Sequence, residues 1–161
     1  EGADATAAPP AEDKKSMLMA LGAPEEVADG AIASDGDSFK DSATPTSMFY
    51  SLKVNDDAKA EWKDHYLAYT KGAKASKGHI SVSHTYNEET REVICVESIT
   101  GTDAMLNHIG NCLPHYAQML GCGVVMKEII CVCDPTELEW WKASLSAWQA
   151  ERFIVMPNHC P

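Results

Sequence analysis

The fold is decided by residues 97–157, which read "ESITGTDAMLNHIGNCLPHYAQMLGCGVVMKEIICVCDPTELEWWKASLSAWQAERFIVMP". Val124–Cys133 is apolar on both faces, as expected for a strand in the middle of a sheet. Thr102 and Asp134 stand where N-cap residues stand, and Pro135 suits the first position of a helix. The stretch therefore predicts strand, helix, strand, helix and strand, joined by short connections.

The residues upstream supply the first half of the same pattern. The alternation of residues 48–54 predicts a strand, and Asn55 is the predicted N-cap of a helix that buries Trp62. Residues 79–86 and 92–100 flank a polar turn and predict a β-hairpin. The full order is then β-α-β-β-α-β-α-β, a ferredoxin-like α+β unit with an appended C-terminal helix and strand.

The first 47 residues differ in composition from the rest of the chain and predict an acidic tail. They hold 10 acidic residues against 3 lysines, and residues 1–13 contain too little apolar surface to offset the entropy lost on ordering. Residues 14–33 carry spaced apolar side chains that predict two short helical turns. These turns either pack on their own domain or dock on another protein. We expect a tail at residues 1–47 and a folded domain at residues 48–161.

The charge of the chain excludes some classes of partner. The 161 residues carry a formal net charge of −11, and no cluster of Lys and Arg is interleaved with aromatic residues. A surface of this sign repels phosphate backbones, which disfavours nucleic-acid binding and favours a partner with a basic face. The sequence has no run of about 18 apolar residues, so we expect no transmembrane segment.

The six cysteines are predicted to be reduced, because four of them lie inside apolar runs where a free thiol behaves as a small hydrophobic group. No CxxC pair is present, and the "CVC" at residues 131–133 directs both sulfurs to one face of a strand. That is a poor tetrahedral arrangement without further ligands. The sequence therefore predicts no metal site.

The start of the chain bears on its compartment. An acidic, Ala/Pro-rich start such as "EGADATAAPPAED" is typical of the terminus left when a leader peptide is cleaved, and a trimmed chain is the alternative. Cleavage favours an organellar or exported protein over a cytoplasmic one. The compartment itself stays open.

Two segments carry a resemblance to a known family. The segments "ESITGTDAMLNHIGNCLPHYAQML" and "DPTELEWWKASL" resemble the antibiotic biosynthesis monooxygenases of the dimeric α+β barrel superfamily, and the second resembles a quinol-monooxygenase-like subgroup. The resemblance implies a homodimer and a cleft between sheet and helices that holds a flat aromatic molecule. It implies an oxidation without metal or flavin, so no cofactor is predicted. Some relatives degrade haem, but residues 48–54 lack the asparagine that those relatives carry.

The resemblance also implies site residues. His108 and Asn111 match the helix positions where such proteins place a polar pair facing the cleft, and we predict both as catalytic residues. His84, Trp62 and Tyr66 are predicted to bind the ligand. Each has a structural alternative: the histidines as hydrogen-bonded structural residues, the aromatic pair as core, and Asn111 as a partner of carbonyls that Pro114 frees. The remaining histidines are predicted to lie at the surface: His65, His79, His115 and His159.

Two functions follow from these features. The first is a monooxygenase-like enzyme or binder of a small aromatic or quinone-like molecule, in which His108 takes the proton that must leave before oxygen reacts. The second is a non-catalytic, accessory subunit of a larger assembly that docks through residues 1–47. Homodimerisation is expected under either, because an open ferredoxin-like sheet leaves one apolar face uncovered.

Overall fold

The structure is a computed structural model that describes residues 11–33 and 44–158. The predictions for residues 1–10, for most of the linker and for His159 fall outside that range. The helices and strands, in chain order, are α1 Ala11–Ala20, α2 Glu25–Ala33, β1 Thr46–Val54, α3 Trp62–Ala75, β2 His79–Asn87, β3 Glu92–Ile99, α4 Thr102–Gly121, β4 Val124–Cys133, α5 Leu138–Leu145 and β5 Arg152–Pro157. Short 3-10 turns at Pro135–Glu137 and Ser146–Trp148 flank α5.

The five strands form one sheet in the order β2-β3-β1-β4-β5. Neighbours run antiparallel except β4 and β5, which are parallel and are joined by the crossover helix α5. The predicted ferredoxin-like α+β fold is confirmed, including the appended helix and strand. Among the described helices, none combines the length and the apolar character that spanning a bilayer requires.

Helices α3 and α4 cover one face of the sheet. Strand β1 alternates as predicted: Met48, Tyr50, Leu52 and Val54 are buried on that face, although the strand begins two residues earlier, at Thr46. Every second residue of the central strands therefore enters the layer between sheet and helices.

The predicted helix cap at Asn55 is wrong, because α3 begins only at Trp62. The backbone amide of Asn55 donates to the carbonyl of Gly123 (3.1 Å), and that of Lys59 donates to the carbonyl of Cys122 (2.9 Å). The segment between β1 and α3 is thus bonded to the turn between α4 and β4. These backbone hydrogen bonds to a distant part of the chain take the place of the predicted helix cap.

Helices α1 and α2 lie within the predicted tail and pack against α4. Leu18 and Val27 are buried there, and a Cβ atom built on Gly110 of α4 would stand 2.8 Å from the carbonyl oxygen of Ala31. Only glycine allows this approach. Of the apolar residues that suggested a docking segment, Leu18 and Val27 are therefore buried within the chain itself, and Met17, Leu21 and Ile32 are half-buried.

The second face of the sheet carries no helix among the described residues. A row of apolar side chains crosses it from β3 to β5, in the register Val96, Phe49, Ile130 and Ile154. Val96 is 49% exposed, and the other three are half-buried. We call these four residues the open face.

Candidate functional site

The site is built around Glu97, a carboxylate with no exposure to solvent. On β3 it continues the inward alternation of Val93 and Cys95, so the strand directs a charge into the layer between sheet and helices. The hydroxyl of Tyr50 and the Nε2 of His84 (2.8 Å) donate to its Oε1, and the Nε2 of His79 (3.1 Å) donates to its Oε2. A buried carboxylate needs such donors in place of water. The Glu97 cluster comprises Tyr50, Tyr69, His79, His84, Glu97 and His108.

Further hydrogen bonds hold Tyr50 and His84, which donate to Glu97, in position. The Tyr69 hydroxyl donates to the Tyr50 hydroxyl (2.8 Å), which in turn donates to Glu97. Burial raises the pKa of both tyrosines well above the ordinary value, so each keeps its proton. The Thr70 hydroxyl lies 2.9 Å from His84 Nδ1. This contact orients the ring so that its Nε2 points at Glu97.

His108 approaches the same carboxylate from α4. Its Nε2 lies 3.7 Å from Glu97 Oε2, and its Nδ1 lies 3.5 Å from the sulfur of Cys112. The Cys112 thiol donates to the carbonyl of Tyr69 (3.6 Å), so its sulfur accepts from Nδ1–H of His108. This assignment leaves the lone pair of His108 Nε2 facing the carboxylate oxygen with no proton between them.

Burial and charge set the protonation states of this pair. Burial lowers the pKa of His108 to about 4 and outweighs the attraction of Glu97, which opposes that shift. Burial raises the pKa of Glu97, but the attraction of His108 and the hydrogen bonds from His79, His84 and Tyr50 hold it well below the usual range. At neutral pH the imidazole is thus neutral, and the three donors stabilise the ionised carboxylate.

A small cavity of about 10 Å³ borders His108. That is about the size of one water molecule. Met48 and Met105 line it, and so does Trp148, whose ring stacks on His108 with a centroid distance of 5.7 Å and an interplanar angle of 28°. An apolar niche thus lies beside His108, but the indole and the methionines fill most of it.

Most of the predicted site residues lie in or beside the Glu97 cluster. His84 belongs to the Glu97 cluster, and Tyr66 stacks on its ring at 6.3 Å. Trp62 lies next to Tyr66, with ring centroids 5.9 Å apart, and extends the aromatic wall. Asn111 differs, because its amide donates to Ser76 Oγ (3.2 Å) and Asn107 Oδ1 (3.3 Å), away from Glu97.

Sequence reasoning missed four members of the cluster. His79 was assigned to the surface, and that prediction is wrong, because its side chain is 5% exposed and donates to Glu97. Glu97, Tyr50 and Tyr69 were not considered as site residues. For Glu97 a signal was present, since a charged residue on the apolar side of an alternating strand must find buried partners. His65 and His115 are half-buried on α3 and α4.

The chain is similar in structure to solved proteins of low sequence identity. MupZ from Pseudomonas fluorescens is 12% identical, with a TM-score of 0.56 over 76% of this chain and 93% of that one. Rv0793 from Mycobacterium tuberculosis is 18% identical (TM-score 0.44; 53% and 91% covered), and protein YJCS is 13% identical (TM-score 0.44; 54% and 95% covered). No family profile and no curated protein matches the chain. The likeness to MupZ shows the fold alone.

Proposed function

We propose that this protein binds a small aromatic or quinol-like molecule between its sheet and its helices and oxidises it with dioxygen, without a bound cofactor. The observation that carries the proposal is the buried imidazole of His108, whose Nε2 lies 3.7 Å from Oε2 of the buried Glu97. Burial lowers the pKa of His108 to about 4, which leaves its ring neutral at neutral pH. A general base needs such a lone pair, and a nearby carboxylate stabilises the imidazolium that forms. The resemblance to the antibiotic biosynthesis monooxygenases points to the same chemistry.

In this proposal Nε2 of His108 takes a proton from a ring hydroxyl or an acidic ring carbon, and the resulting anion transfers electrons to dioxygen. A hydroquinone loses two protons and two electrons, which yields a quinone and hydrogen peroxide. A ring methylene instead receives one oxygen atom as a carbonyl, and the second oxygen leaves with the two hydrogens as water. Both reactions balance without a further reductant.

Substrate binding requires the niche to open. A flat ring is far larger than the cavity of about 10 Å³, so Trp148 must leave its stacking position on His108. His84, Tyr66 and Trp62 then form the wall against which the ring lies. Trp148 sits in the 3-10 turn Ser146–Trp148, outside the sheet, and this turn would have to move and release the hydrogen bond from the Tyr116 hydroxyl to the Trp148 carbonyl (2.8 Å).

Asn111 acts here as a positioning residue. Its amide holds Ser76 Oγ and Asn107 Oδ1, and Asn107 Oδ1 also accepts from the backbone amide of Lys77 (2.7 Å). These bonds attach α4 to the connection between α3 and β2, which leads directly into His79. The arrangement fixes the distance between two histidines of the Glu97 cluster.

Oxygen uptake tests the proposal. Purified protein supplied with a panel of hydroquinones and anthrones should consume dioxygen in an electrode assay, and the His108→Asn variant should be slower by roughly 100-fold, the usual contribution of a general base. His115→Asn, on the same helix and half-buried, is the matched control and should keep the wild-type rate. Equal rates in wild type and a folded His108→Asn variant would remove the catalytic role of His108.

We also propose that the protein is a homodimer that pairs its open faces. The row of Val96, Phe49, Ile130 and Ile154 presents apolar surface on four adjacent strands, and a second copy would remove that surface from water.

Light scattering after gel filtration measures this directly. The dimer has twice the 17.5 kDa chain mass, about 35 kDa, and Val96→Asp should shift the protein to the monomer mass by placing a charge in the interface. Leu67→Asp, at an exposed apolar position on α3, is the matched control and should stay dimeric. A dimer that survives Val96→Asp would show that another surface pairs the chains.

A further inference from the structure

We propose that His79, Glu97 and His108 form a binding site for one divalent transition-metal ion. One ligand atom from each side chain lies within 4.8 Å of the other two. His79 Nε2 stands 3.1 Å and His108 Nε2 stands 3.7 Å from the same oxygen, Glu97 Oε2. Three consecutive elements of the chain, β2, β3 and α4, thus bring one side chain each to a single point.

The spacing suits a metal ion. Imidazole nitrogens and carboxylate oxygens bind zinc at about 2.0–2.2 Å, so two ligands of one tetrahedral or octahedral ion stand roughly 3.0–3.5 Å apart. The two distances from Glu97 Oε2 lie within a few tenths of an ångström of that range. The third side of the triangle, between the histidine nitrogens, is no longer than 4.8 Å, and side-chain rotations would have to bring it into the same range.

The electrostatics favour a cation at this point. Glu97 is fully buried, and its ion-pair contacts among the described residues are with histidines alone, without Lys or Arg. The lone pair of His108 Nε2 and the oxygen of Glu97 already face each other. His79 becomes a ligand when its proton moves from Nε2 to Nδ1, and Nδ1 is buried with no hydrogen-bond partner among the described residues. No net proton has to leave the site.

The surroundings hold the three ligands in orientation. Glu97 Oε1 is fixed by His84 and Tyr50, and His108 Nδ1 is fixed by Cys112. In metalloproteins, hydrogen bonds of this kind from neighbouring residues hold the ligand side chains in the orientation that binds the metal. The water-sized cavity beside His108 provides room for a solvent molecule as a further ligand. Two imidazoles and one carboxylate suit zinc, iron(II) or cobalt(II) better than magnesium or calcium.

The metal site goes beyond the proposed oxidation and competes with it. His108 Nε2 cannot accept a substrate proton while it binds a metal ion. A bound ion should therefore inhibit the oxidation. This consequence rests on the proposed function, whereas binding of the ion does not.

Cobalt(II) is the probe, because its visible absorption reports both the ligand type and the geometry. Tag-free full-length protein is titrated with cobalt chloride in the folded state and also during refolding from urea, since the cluster is closed to solvent. We expect one cobalt ion per chain, displaced by zinc, with no sulfur-to-cobalt charge-transfer band. His79→Gln and His108→Asn should each weaken binding by at least 10-fold.

The controls separate this site from other candidate ligands. His65→Gln and Cys133→Ser should bind cobalt as the wild type does. Absence of stoichiometric binding in both preparations, a sulfur charge-transfer band, or unchanged affinity in a folded His79→Gln variant would each overturn the proposal. The readout is absorption and not turnover, so a protein that binds cobalt but oxidises nothing would contradict the proposed function and leave the metal site standing.

Discussion

The Glu97→Leu variant should unfold with a free energy about 3–5 kcal/mol smaller than that of the wild type, because leucine removes the acceptor of three buried donors. The hydroxyl of Tyr50 and the Nε2–H groups of His79 and His84 would keep their burial and lose their partner. Leucine would contribute apolar burial, but it cannot satisfy any of these groups. Urea denaturation followed by circular dichroism measures the difference.

Two further variants show whether the loss comes from this network. Glu97→Gln keeps one carbonyl oxygen for His84 and Tyr50 but turns an amide donor toward His79. Its free energy of unfolding should therefore lie between those of the wild type and Glu97→Leu. Glu92→Leu, at the exposed start of the same strand, should change stability by less than about 0.5 kcal/mol. A loss below about 1 kcal/mol in Glu97→Leu would mean that water replaces the missing acceptor.

The fold could be predicted from the sequence because its signals are local. The alternation of residues 48–54 and the Asp134-Pro135 helix start act within one element each, and both survive in the structure. The side chain of Asp134 accepts from the backbone amide of Thr136 (2.8 Å), as a cap does. Asn55 failed as a cap because the turn between α4 and β4, distant in sequence, supplied the bonds instead.

The site could be predicted only in part, because it depends on strand register. Strict alternation from residue 79 to residue 86 places Ile80, Val82 and His84 on one face and His79 on the other. In the structure the register between β2 and β3 shifts between His79 and Ser81. This bulge leaves Ile80 55% exposed and turns His79 inward, opposite Ile99.

His108 illustrates the same limit from the helix side. The resemblance marked it as a site residue, but its partners come from other elements: Glu97 from β3, and Trp148 from the turn after α5. The helical periodicity of α4 contains no information about which strand residue lies opposite. The chemistry of the imidazole, neutral and facing a carboxylate, follows from that packing alone.

Acid should destabilise the protein over a range that His108 defines. The pKa of this imidazole falls from 6.5 in the unfolded chain to about 4 in the fold, so between these values the unfolded chain binds a proton that the native one excludes. Stability is therefore lost as the pH falls from 6.5 to about 4, and this group accounts for about 3 kcal/mol. Glu97 acts in the same direction below 4.5, because its carboxylate stays ionised in the fold and is protonated in the unfolded chain.

A comparison with His108→Gln isolates the contribution of this imidazole. Glutamine fills similar space and does not titrate, so the stability of the variant should depend less on pH. Urea denaturation at a series of pH values between 7 and 4.5 gives both curves. The difference between wild type and variant should change by about 2–3 kcal/mol against the wild type as the pH falls, because protonation of His108 stabilises the unfolded chain of the wild type alone. Parallel curves would show that His108 is already protonated, or exposed to water, in the native protein.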